Sequence, residues 1–355
     1  MSIKYLKVEN IRNIAVAELD FSRHFNLISG ANGSGKSTLL EAIYMIARAR
    51  SYRSNRFGSV VKSGERQLNV FAKTENKQQH SIGVEKTPST TKIRVDGNNV
   101  LRVSEIARIT PLQIITPMSH EILDRGPEYR KRFVEWGVFH VEHEYFDIYK
   151  RFFRALRQRN ALLKKNQKLA SWNNILGEAG EKVDDVRSNY VRELSRYIKT
   201  ECHNLSFNQS VEIAWKAGWD RSESLESVLS ASTKSDFTRG FTQHGPQRAD
   251  LRIMVEGQNV GQIFSRGQQK MLIAAMHLAQ GALLKEKTGY SPIILIDDLI
   301  SELDRENREK ILKRLLDHQF QIFATSIEPI EAFSVSGAER RDFHIHKGSV
   351  GIKTV

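Results

Sequence analysis

The sequence has little cysteine, proline and glycine, and each shortage excludes a class of protein. One cysteine in 355 residues leaves no internal disulfide and no cysteine-based zinc cage. Its 22 glycines and 7 prolines are too few for a fibrous or low-complexity chain, whereas 40% hydrophobic residues is typical of a globular protein. The longest apolar runs, 271–279 and 292–296, fall far short of the roughly 18 residues that a membrane-spanning helix needs.

Acidic residues are outnumbered by basic ones, 41 to 54, which gives a formal net charge of +13. This imbalance favours polyanionic partners, nucleic acid first and an anionic membrane surface second. The N-terminal MSIKYLKVEN places Lys4 and Lys7 among its apolar residues and has no small-residue cleavage site, so a secretory signal is not expected. We therefore predict a cytoplasmic protein.

Hydrophobic periodicity indicates a mixed α/β chain. Strands are predicted in the first thirty residues, followed by a glycine-rich turn and a helix from Lys36. Residues 68–101 alternate in short runs around an Asp96-Gly97 hairpin signal, which favours an antiparallel part. Helical periodicity dominates from about 120 to 205, and strand-like alternation then returns. The pattern predicts a helical lobe inserted in an α/β body, with a final hairpin around Gly348.

One glycine-rich segment fits the pattern G-x-x-x-x-G-K-[ST] between a predicted strand and a predicted helix. Glycines let backbone N–H groups converge on phosphate oxygens, and the helix N-terminus adds partial positive charge. Lys36 is predicted to reach the β- and γ-phosphates, and Ser37 to bind Mg²⁺. The predicted nucleotide-binding residues here are Gly30, Ala31, Asn32, Gly33, Ser34, Gly35, Lys36, Ser37 and Thr38.

The apolar run 293–296 ends in two carboxylates, Asp297 and Asp298. A central parallel strand delivers such C-terminal side chains to a phosphate site. Asp297 is predicted to hold Mg²⁺ with Ser37. Asp298 is predicted to orient or deprotonate the attacking water, as a catalytic residue alongside Lys36. Without the phosphate loop, two aspartates at a strand end indicate only a solvated strand end.

Two further motifs lie before and after the strand that ends at Asp297. Ser265-Arg266-Gly267-Gln268 opens a helix before that strand, and S-x-L-D, ending at Asp304, follows it. This order resembles the ABC ATPase superfamily, with its signature motif, Walker B strand and D-loop. Within its SMC-like branch, the chain is similar to the RecF family over almost its whole length, on the motifs KYLKVENIRN (4–13), GPEYRKRF (126–133), RNALL (159–163) and GPQRAD (245–250).

The resemblance implies a fold and an assembly. The fold would be an ABC-type ATPase head, α/β in class, with a P-loop mixed-sheet core, an antiparallel β subdomain and an inserted helical lobe. Its parts would be the N-terminal half of the ATPase lobe (1–119), the helical lobe (120–240) and the part with the signature motif, Walker B and D-loop (241–355). The assembly would be an ATP-dependent homodimer in which the partner copy contacts the nucleotide through Ser265, Arg266, Gly267, Gln268 and Asp304.

The same resemblance implies ATP and Mg²⁺ as cofactors and a weak DNA-dependent ATPase without nuclease activity. It also implies binding to gapped DNA at single-strand/double-strand junctions, RecA loading with RecO and RecR, and roles in repair, replication restart and SOS induction. Asp298 departs from the superfamily, which mostly has Glu there, so slow hydrolysis is expected. Thr325-Ser326 stand where transporter-type heads have a His, and Gln113 is either a Q-loop residue or a packing residue.

Two basic clusters are candidates for the DNA surface. The loop cluster is Arg50, Arg53 and Arg56, just after Arg48, with Tyr52 and Phe57 interleaved. The helix cluster is Arg151, Arg154 and Arg157, within a stretch whose other basic residues are Lys150, Arg159, Lys164, Lys165 and Lys168. Either would contact backbone phosphates without sequence preference. We favour the loop cluster because it adjoins the nucleotide site; a solvated helix face is the alternative for the helix cluster.

Other functions stay open at this point. A transporter nucleotide-binding subunit would share the ATPase motifs, although the basic insertion and the missing His argue against it. A nuclease with an ABC head would need more metal-binding carboxylates than the residues after Asp298 offer. A nucleotide-switched DNA scaffold without turnover is a third possibility. For Arg130, Lys131 and Arg132, packing within the lobe competes with a functional role.

Overall fold

The computed structural model describes residues 1–75, 78–207, 209–298, 303–327 and 339–353. Contacts divide the chain into unit 1, Met1–Ser119 with Leu284–Val355, and unit 2, His120–Leu283. The domain limits predicted at 119/120 and 240/241 stay a prediction. Residues on both sides of 240 belong to unit 2, where the strand at 250–255 pairs with the strand at 212–216.

Within the described residues, the strands are, in chain order, β1 (Ser2–Ile11), β2 (Ile14–Asp20), β3 (Phe25–Ser29), β4 (Leu68–Glu75), β5 (Gln79–Lys86), β6 (Thr91–Val95), β7 (Asn98–Val100), β8 (Leu112–Ile115), β9 (Glu212–Lys216), β10 (Asp250–Val255), β11 (Gln258–Asn259), β12 (Ile293–Ile296), β13 (Gln321–Ser326), β14 (Arg340–His346) and β15 (Ser349–Lys353). The α-helices of the same residues are α1 (Lys36–Arg48), α2 (Val103–Ile109), α3 (Glu121–Asp124), α4 (Pro127–Val141), α5 (Tyr145–Lys164), α6 (Ala170–Asn204), α7 (Leu225–Ala231), α8 (Thr233–Arg239), α9 (Val260–Ile263), α10 (Arg266–Thr288) and α11 (Arg305–Asp317).

Unit 1 contains an antiparallel sheet in the order β2-β1-β4-β5-β6-β7. Its strands bury one face, as in β1, where Leu6 and Val8 point into the core and the intervening Lys7 is partly exposed. The predicted Asp96-Gly97 hairpin is confirmed, because both residues have left-handed backbone angles and join β6 to β7. The predicted antiparallel part is thus present.

The second sheet of unit 1 has the order β15-β14-β3-β13-β12-β8. β3, β13 and β12 are parallel and buried along their whole length, as expected for strands covered on both faces. Their carboxyl ends therefore lie side by side at one edge of the sheet. The predicted hairpin around Gly348 is confirmed by the antiparallel pair β14 and β15. Gln113 is buried within β8, beside Ile294 of β12, and so lies in a strand.

Helix α1 packs against strands of both sheets of unit 1. It begins directly after Gly35 and ends at Arg48. The next residue, Ala49, has a left-handed backbone, and its nitrogen donates a hydrogen bond to the Met45 carbonyl. Its apolar side chains belong to the main core of the unit, and each contributes about 1.5–3 kcal/mol of hydrophobic stabilisation; among them are Leu39, Leu40, Ile43 and Ile46. This packing fixes the loop that precedes the helix.

Unit 2 confirms the helical periodicity predicted from residue 120 to 205. Its long helices α5 and α6 pack on each other, and α6 also packs on α4, α7 and β9. A three-stranded sheet has the order β11-β10-β9. Among the helices of the described residues, none is long and apolar enough to cross a membrane.

Candidate functional site

The phosphate-loop segment 30–37 connects β3 to α1, as the sequence predicts. Gly33 and Gly35 have φ of +74° and +124°, angles at which a side chain would be strained. Lys36 is 5% exposed, and its Nζ donates to the carbonyls of Gly30 at 2.9 Å and Ala31 at 3.2 Å. The loop therefore curls around its own ammonium group, next to the N-terminus of α1, and forms a positively charged cradle for an anion.

Asn13, in the turn between β1 and β2, fastens this loop to the antiparallel sheet. Its Nδ2 donates to the carbonyl of Ser34 at 2.8 Å, and its Oδ1 accepts from Thr38 Oγ1 at 3.2 Å. Asn13 closes the N-terminal motif that resembles the RecF family, but no specific role was predicted for it. The side chain of Thr38 thus contacts Asn13.

The carboxylate of Asp297, which follows β12, accepts hydrogen bonds from three hydroxyl groups. Its Oδ1 accepts from Ser37 Oγ at 2.9 Å and from Thr325 Oγ1 at 3.0 Å. Its Oδ2 accepts from the Tyr52 hydroxyl at 2.7 Å. The structure thus brings the two predicted Mg²⁺ ligands, Ser37 and Asp297, into contact. It adds Tyr52, which was predicted as an interleaved aromatic of the loop cluster, and Thr325, for which no contact with Asp297 was predicted.

Burial and the negative charge of Asp297 raise the pKa of Tyr52 well above its usual range. The phenol therefore keeps its proton at neutral pH and acts as a hydrogen-bond donor. Its ring contacts that of Tyr44 on α1 edge to face, with 5.5 Å between ring centroids. Tyr52 is consequently a fixed side chain of the site, whereas the sequence suggested an aromatic interleaved in a DNA surface.

Asp298, the predicted catalytic carboxylate, is partly exposed and has a left-handed φ of 52°. Its backbone nitrogen donates to Thr325 Oγ1 at 2.8 Å, and the same hydroxyl lies 3.2 Å from Asp298 Oδ1. The Thr325 hydroxyl thus contacts both aspartates. The predicted correspondence of Thr325-Ser326 to the His of transporter-type heads stays a prediction.

The loop cluster begins at a turn anchored on α1. Glu41 is fully buried, and it accepts hydrogen bonds from Arg12 and from the Ser51 hydroxyl. Ser51 Oγ in turn accepts from the backbone nitrogens of Arg53 and Ser54, each at 2.9 Å. The turn therefore has a fixed conformation relative to the phosphate-loop helix.

The arginines of the loop cluster, Arg50, Arg53 and Arg56, are exposed. Arg48, which the sequence placed beside them, is half-buried at the end of α1, and burial lowers its pKa. Arg48 is thus partly withdrawn from solvent. The structure leaves the three loop-cluster arginines available to an anionic partner.

The helix cluster, Arg151, Arg154 and Arg157, is exposed along α5. Arg159, counted with the same basic stretch, is instead fully buried. It forms an ion pair with Asp236 at 2.7 Å and donates to Asn173 and Thr242. Its inclusion in a solvated basic face was wrong, because the 3.6-residue helical period turns residue 159 towards the interior of unit 2.

For two basic residues of GPEYRKRF, the structure distinguishes packing within the lobe from a functional role. Arg130 forms a two-point ion pair with Asp250 of the GPQRAD motif, at 2.7 and 3.1 Å. Lys131 donates to the carbonyl of Gln247 at 2.6 Å. Both residues therefore pack within unit 2, and they connect two segments that are distant in the sequence.

The signature segment forms the start of α10. Ser265 Oγ accepts from the backbone nitrogen of Gln268 at 3.3 Å, and Gln268 Oε1 accepts from that of Ser265 at 2.9 Å. This reciprocal arrangement is a capping box. Arg266 donates to Asp124 at 2.7 Å and remains exposed. Ser265, Arg266, Gly267 and Gln268 all face solvent in unit 2.

Asp304 caps α11, where its carboxylate accepts from the backbone nitrogen of Asn307 at 2.9 Å and from the Asn307 amide at 2.7 Å. The hydrogen bond from that backbone nitrogen lowers the pKa of Asp304. Its predicted contact with a partner's nucleotide stays a prediction. Residues 299–302, which include Ser301 and Glu302 of the S-x-L-D motif, lie outside the described residues.

Comparisons with known proteins agree with these features. The family model described as "RecF/RecN/SMC N terminal domain" matches residues 2–337. A DNA replication and repair protein RecF from Shewanella denitrificans is 36% identical over 358 residues, which cover 99% of each chain. Its counterpart from Stutzerimonas stutzeri is also 36% identical, over 99% of this chain and 100% of that relative.

Solved structures extend the likeness to the fold. A structure described as the recombination mediator protein RecF-ATPrS in the RecFOR pathway has a TM-score of 0.87 and 28% identity, covering 99% of this chain and 98% of that one. An Smc head bound to the C-terminal winged-helix domain of ScpA has a TM-score of 0.61 at 15% identity, covering 100% of this chain and 98% of that one. The predicted fold class, an ABC-type ATPase head, is thereby confirmed.

Proposed function

The chain belongs to the RecF family, and from that premise we propose that it is an ATP-dependent DNA-binding protein of recombinational repair and replication restart. One observation carries the proposal. Ser37 Oγ and Asp297 Oδ1 lie 2.9 Å apart, where the phosphate loop meets the end of β12. A hydroxyl and a carboxylate are oxygen ligands that suit Mg²⁺ bound together with nucleotide phosphates. The residues present therefore fit the ATP and Mg²⁺ that the family resemblance implies.

Each residue of the site has a proposed task. Lys36, now held by the carbonyls of Gly30 and Ala31, binds the β- and γ-phosphate oxygens. Ser37 and Asp297 hold Mg²⁺, which when bound neutralises charge on those phosphates. Asp298 orients or deprotonates the attacking water. Its short side chain fits a weak ATPase in which hydrolysis acts as a switch, and we expect no nuclease activity.

The signature segment supports assembly through the nucleotide. Its residues are exposed at the N-terminus of a long helix, where backbone N–H groups and the helix dipole favour an anion. We propose that Ser265, Gly267 and Gln268 contact the ATP held by a partner copy, so that two ATP molecules are bound between two chains. ATP binding then favours the dimer on DNA, and ATP hydrolysis favours reopening of the dimer.

For DNA, the loop cluster is the preferred surface because its turn is anchored to the phosphate-loop helix through Ser51 and Glu41. The proposed substrate is gapped DNA with a single-strand/double-strand junction. RecO and RecR are the proposed partners in RecA loading and SOS induction, and the cytoplasm is the proposed location. These partners follow from the family resemblance.

The decisive experiment is sedimentation velocity of the purified chain with ATP, with ADP and without nucleotide, each with and without gapped DNA. We expect dimers with ATP and Mg²⁺ only, in larger proportion on gapped DNA. A chain that stays monomeric with saturating ATP and DNA would overturn the proposal.

A second candidate is a nucleotide-switched DNA scaffold without turnover, which the engagement of Asp298 with Thr325 favours. Phosphate release measured with and without gapped DNA distinguishes it from a working ATPase. The transporter alternative loses its support, since the chain belongs to the RecF family.

A further inference from the structure

Tyr52 contacts both residues proposed to hold Mg²⁺. Its hydroxyl lies 2.7 Å from Asp297 Oδ2 and 3.4 Å from the backbone carbonyl of Ser37. The ring is held against Tyr44, a residue of the phosphate-loop helix. A side chain fixed at both its ring and its hydroxyl restricts the orientation of the carboxylate that it contacts.

The two oxygens of Asp297 have different partners. Ser37 and Thr325 share Oδ1, whereas Tyr52 donates to Oδ2. A serine hydroxyl has one donor and two acceptor lone pairs, so Ser37 can offer a lone pair to a cation on the side of Oδ1 while its proton stays available to Asp297. The bond from Tyr52 to Oδ2 does not compete with such a cation, so it can persist and hold the carboxylate plane in place.

Tyr52 also lies within the turn that leads into the loop cluster. The preceding Ser51 is bonded to the buried Glu41, and Ser51 Oγ fixes the backbone of Arg53 and Ser54. Arg53 is exposed, with its Nη1 4.0 Å from Glu41, whereas Tyr52 points to Asp297. Tyr52 therefore connects the exposed Arg53, its neighbour in the chain, to the carboxylate of Asp297. The segment that contains both residues has a fixed conformation.

We propose that Tyr52 is a positioning residue that sets the Asp297 carboxylate for Mg²⁺ and links the loop cluster to it. Contact between the loop cluster and an anionic nucleic acid backbone then changes the Mg²⁺ requirement of nucleotide binding through the hydrogen bond from Tyr52. This inference rests on the proposed function. Loss of an outer hydrogen bond to a metal-binding carboxylate typically weakens metal binding by about 10- to 100-fold.

The test compares the full-length chain with its Tyr52→Phe and Tyr44→Phe variants. Each variant loses one hydroxyl of the same ring pair, and only Tyr52→Phe loses the bond to Asp297. Binding of a fluorescent ATP analogue is titrated with Mg²⁺, with and without gapped DNA. For Tyr52→Phe, we expect about a tenfold higher half-saturating Mg²⁺ concentration, nucleotide affinity within twofold at saturating Mg²⁺, and no shift of the Mg²⁺ midpoint by DNA.

Tyr44→Phe should titrate like the wild type, and thermal unfolding should show that both variants are folded. If Tyr52→Phe also keeps the wild-type Mg²⁺ midpoint and its shift by DNA, the inference is overturned while the proposed function stands. An equal effect of both substitutions would likewise overturn it, because ring packing alone would then account for the change. A wild-type chain without Mg²⁺-dependent nucleotide binding would overturn the proposed function itself.

Discussion

Asp298 and Thr325 hold each other in a defined arrangement: the backbone nitrogen of Asp298 donates to Thr325 Oγ1 at 2.8 Å, and that hydroxyl lies 3.2 Å from Asp298 Oδ1. The left-handed backbone at Asp298, with φ of 52°, is one that Asp and Asn adopt more readily than longer side chains. The Asp predicted to depart from the superfamily's usual Glu thus has a local conformational counterpart in this chain. The arrangement also makes Asp298→Asn a clean test of the carboxylate.

Asp298→Asn should reduce ATP turnover by about 100-fold or more, because the amide cannot accept the proton of the attacking water. ATP binding should be retained, since the amide keeps the local backbone preference and leaves Ser37 and Asp297 unchanged. Phosphate release and nucleotide titration measure the two effects separately. Unchanged turnover in this variant would assign the catalytic role elsewhere.

Lys36→Ala should lower ATP affinity by about 100-fold or more, because a charge-assisted contact with the phosphates is lost. The substitution also leaves the carbonyls of Gly30 and Ala31 without their donor, so thermal unfolding must accompany the binding titration. Lys73→Ala, at an exposed position of β4, is the matched control. Wild-type affinity in a folded Lys36→Ala chain would contradict the role of the loop.

The order of the elements could be predicted from the sequence because the signals are local. The phosphate loop, the Asp96-Gly97 hairpin and the hairpin around Gly348 each show their pattern within a few residues, and the structure has all three elements. The contacts of Tyr52 with Asp297 and of Thr325 with Asp298 were not predictable. Each joins different strands or loops, and the strand order that brings them together is a tertiary property.

The burial of a charged side chain was also not predictable from the sequence. Arg159 lies in a stretch of basic residues that are typical of a solvated helix face, yet Asp236, Asn173 and Thr242 surround its guanidinium. Removing one partner of such a buried pair typically costs about 3–5 kcal/mol. Local charge density cannot distinguish this arginine from its exposed neighbours, because its partners lie on other elements of unit 2.

Ser265→Arg should leave ATP binding by the single chain intact and prevent ATP-dependent dimers. The larger side chain would occupy the exposed start of α10, which is proposed to approach the partner's nucleotide. Loss of the capping box with Gln268 costs about 1 kcal/mol, too little to unfold the unit. Sedimentation with ATP provides the measurement, and Ser222→Arg, at another exposed serine, is the control. Normal dimers of Ser265→Arg would refute the proposed contact in trans.

Replacing Arg53 and Arg56 of the loop cluster with Gln should weaken DNA binding for all sequences. The slope of log affinity against log salt should also flatten, by about 0.9 for each lost contact with duplex phosphate. The matched control replaces Arg154 and Arg157 of the helix cluster, which are also exposed. If only the control pair changes the slope, the DNA surface lies on α5.

His277 should make the stability of the protein fall at acid pH. The imidazole is buried, and within the described residues neither of its nitrogens has a hydrogen-bond partner; its ring lies edge to face with Phe133. Burial lowers the pKa of His277 to about 4, whereas an unfolded chain has a value near 6.5. Between these two values the unfolded state binds more protons. The stability due to the neutral ring is therefore complete above pH 6.5 and is lost as the pH falls towards 4.

His277→Leu should reduce this loss of stability at acid pH, as measured by urea unfolding from pH 4.5 to 8. Stability at pH 8 should not fall, because the substitution removes two unsatisfied polar atoms from an apolar site. An acid limb of unchanged steepness in this variant would show that other groups cause the loss.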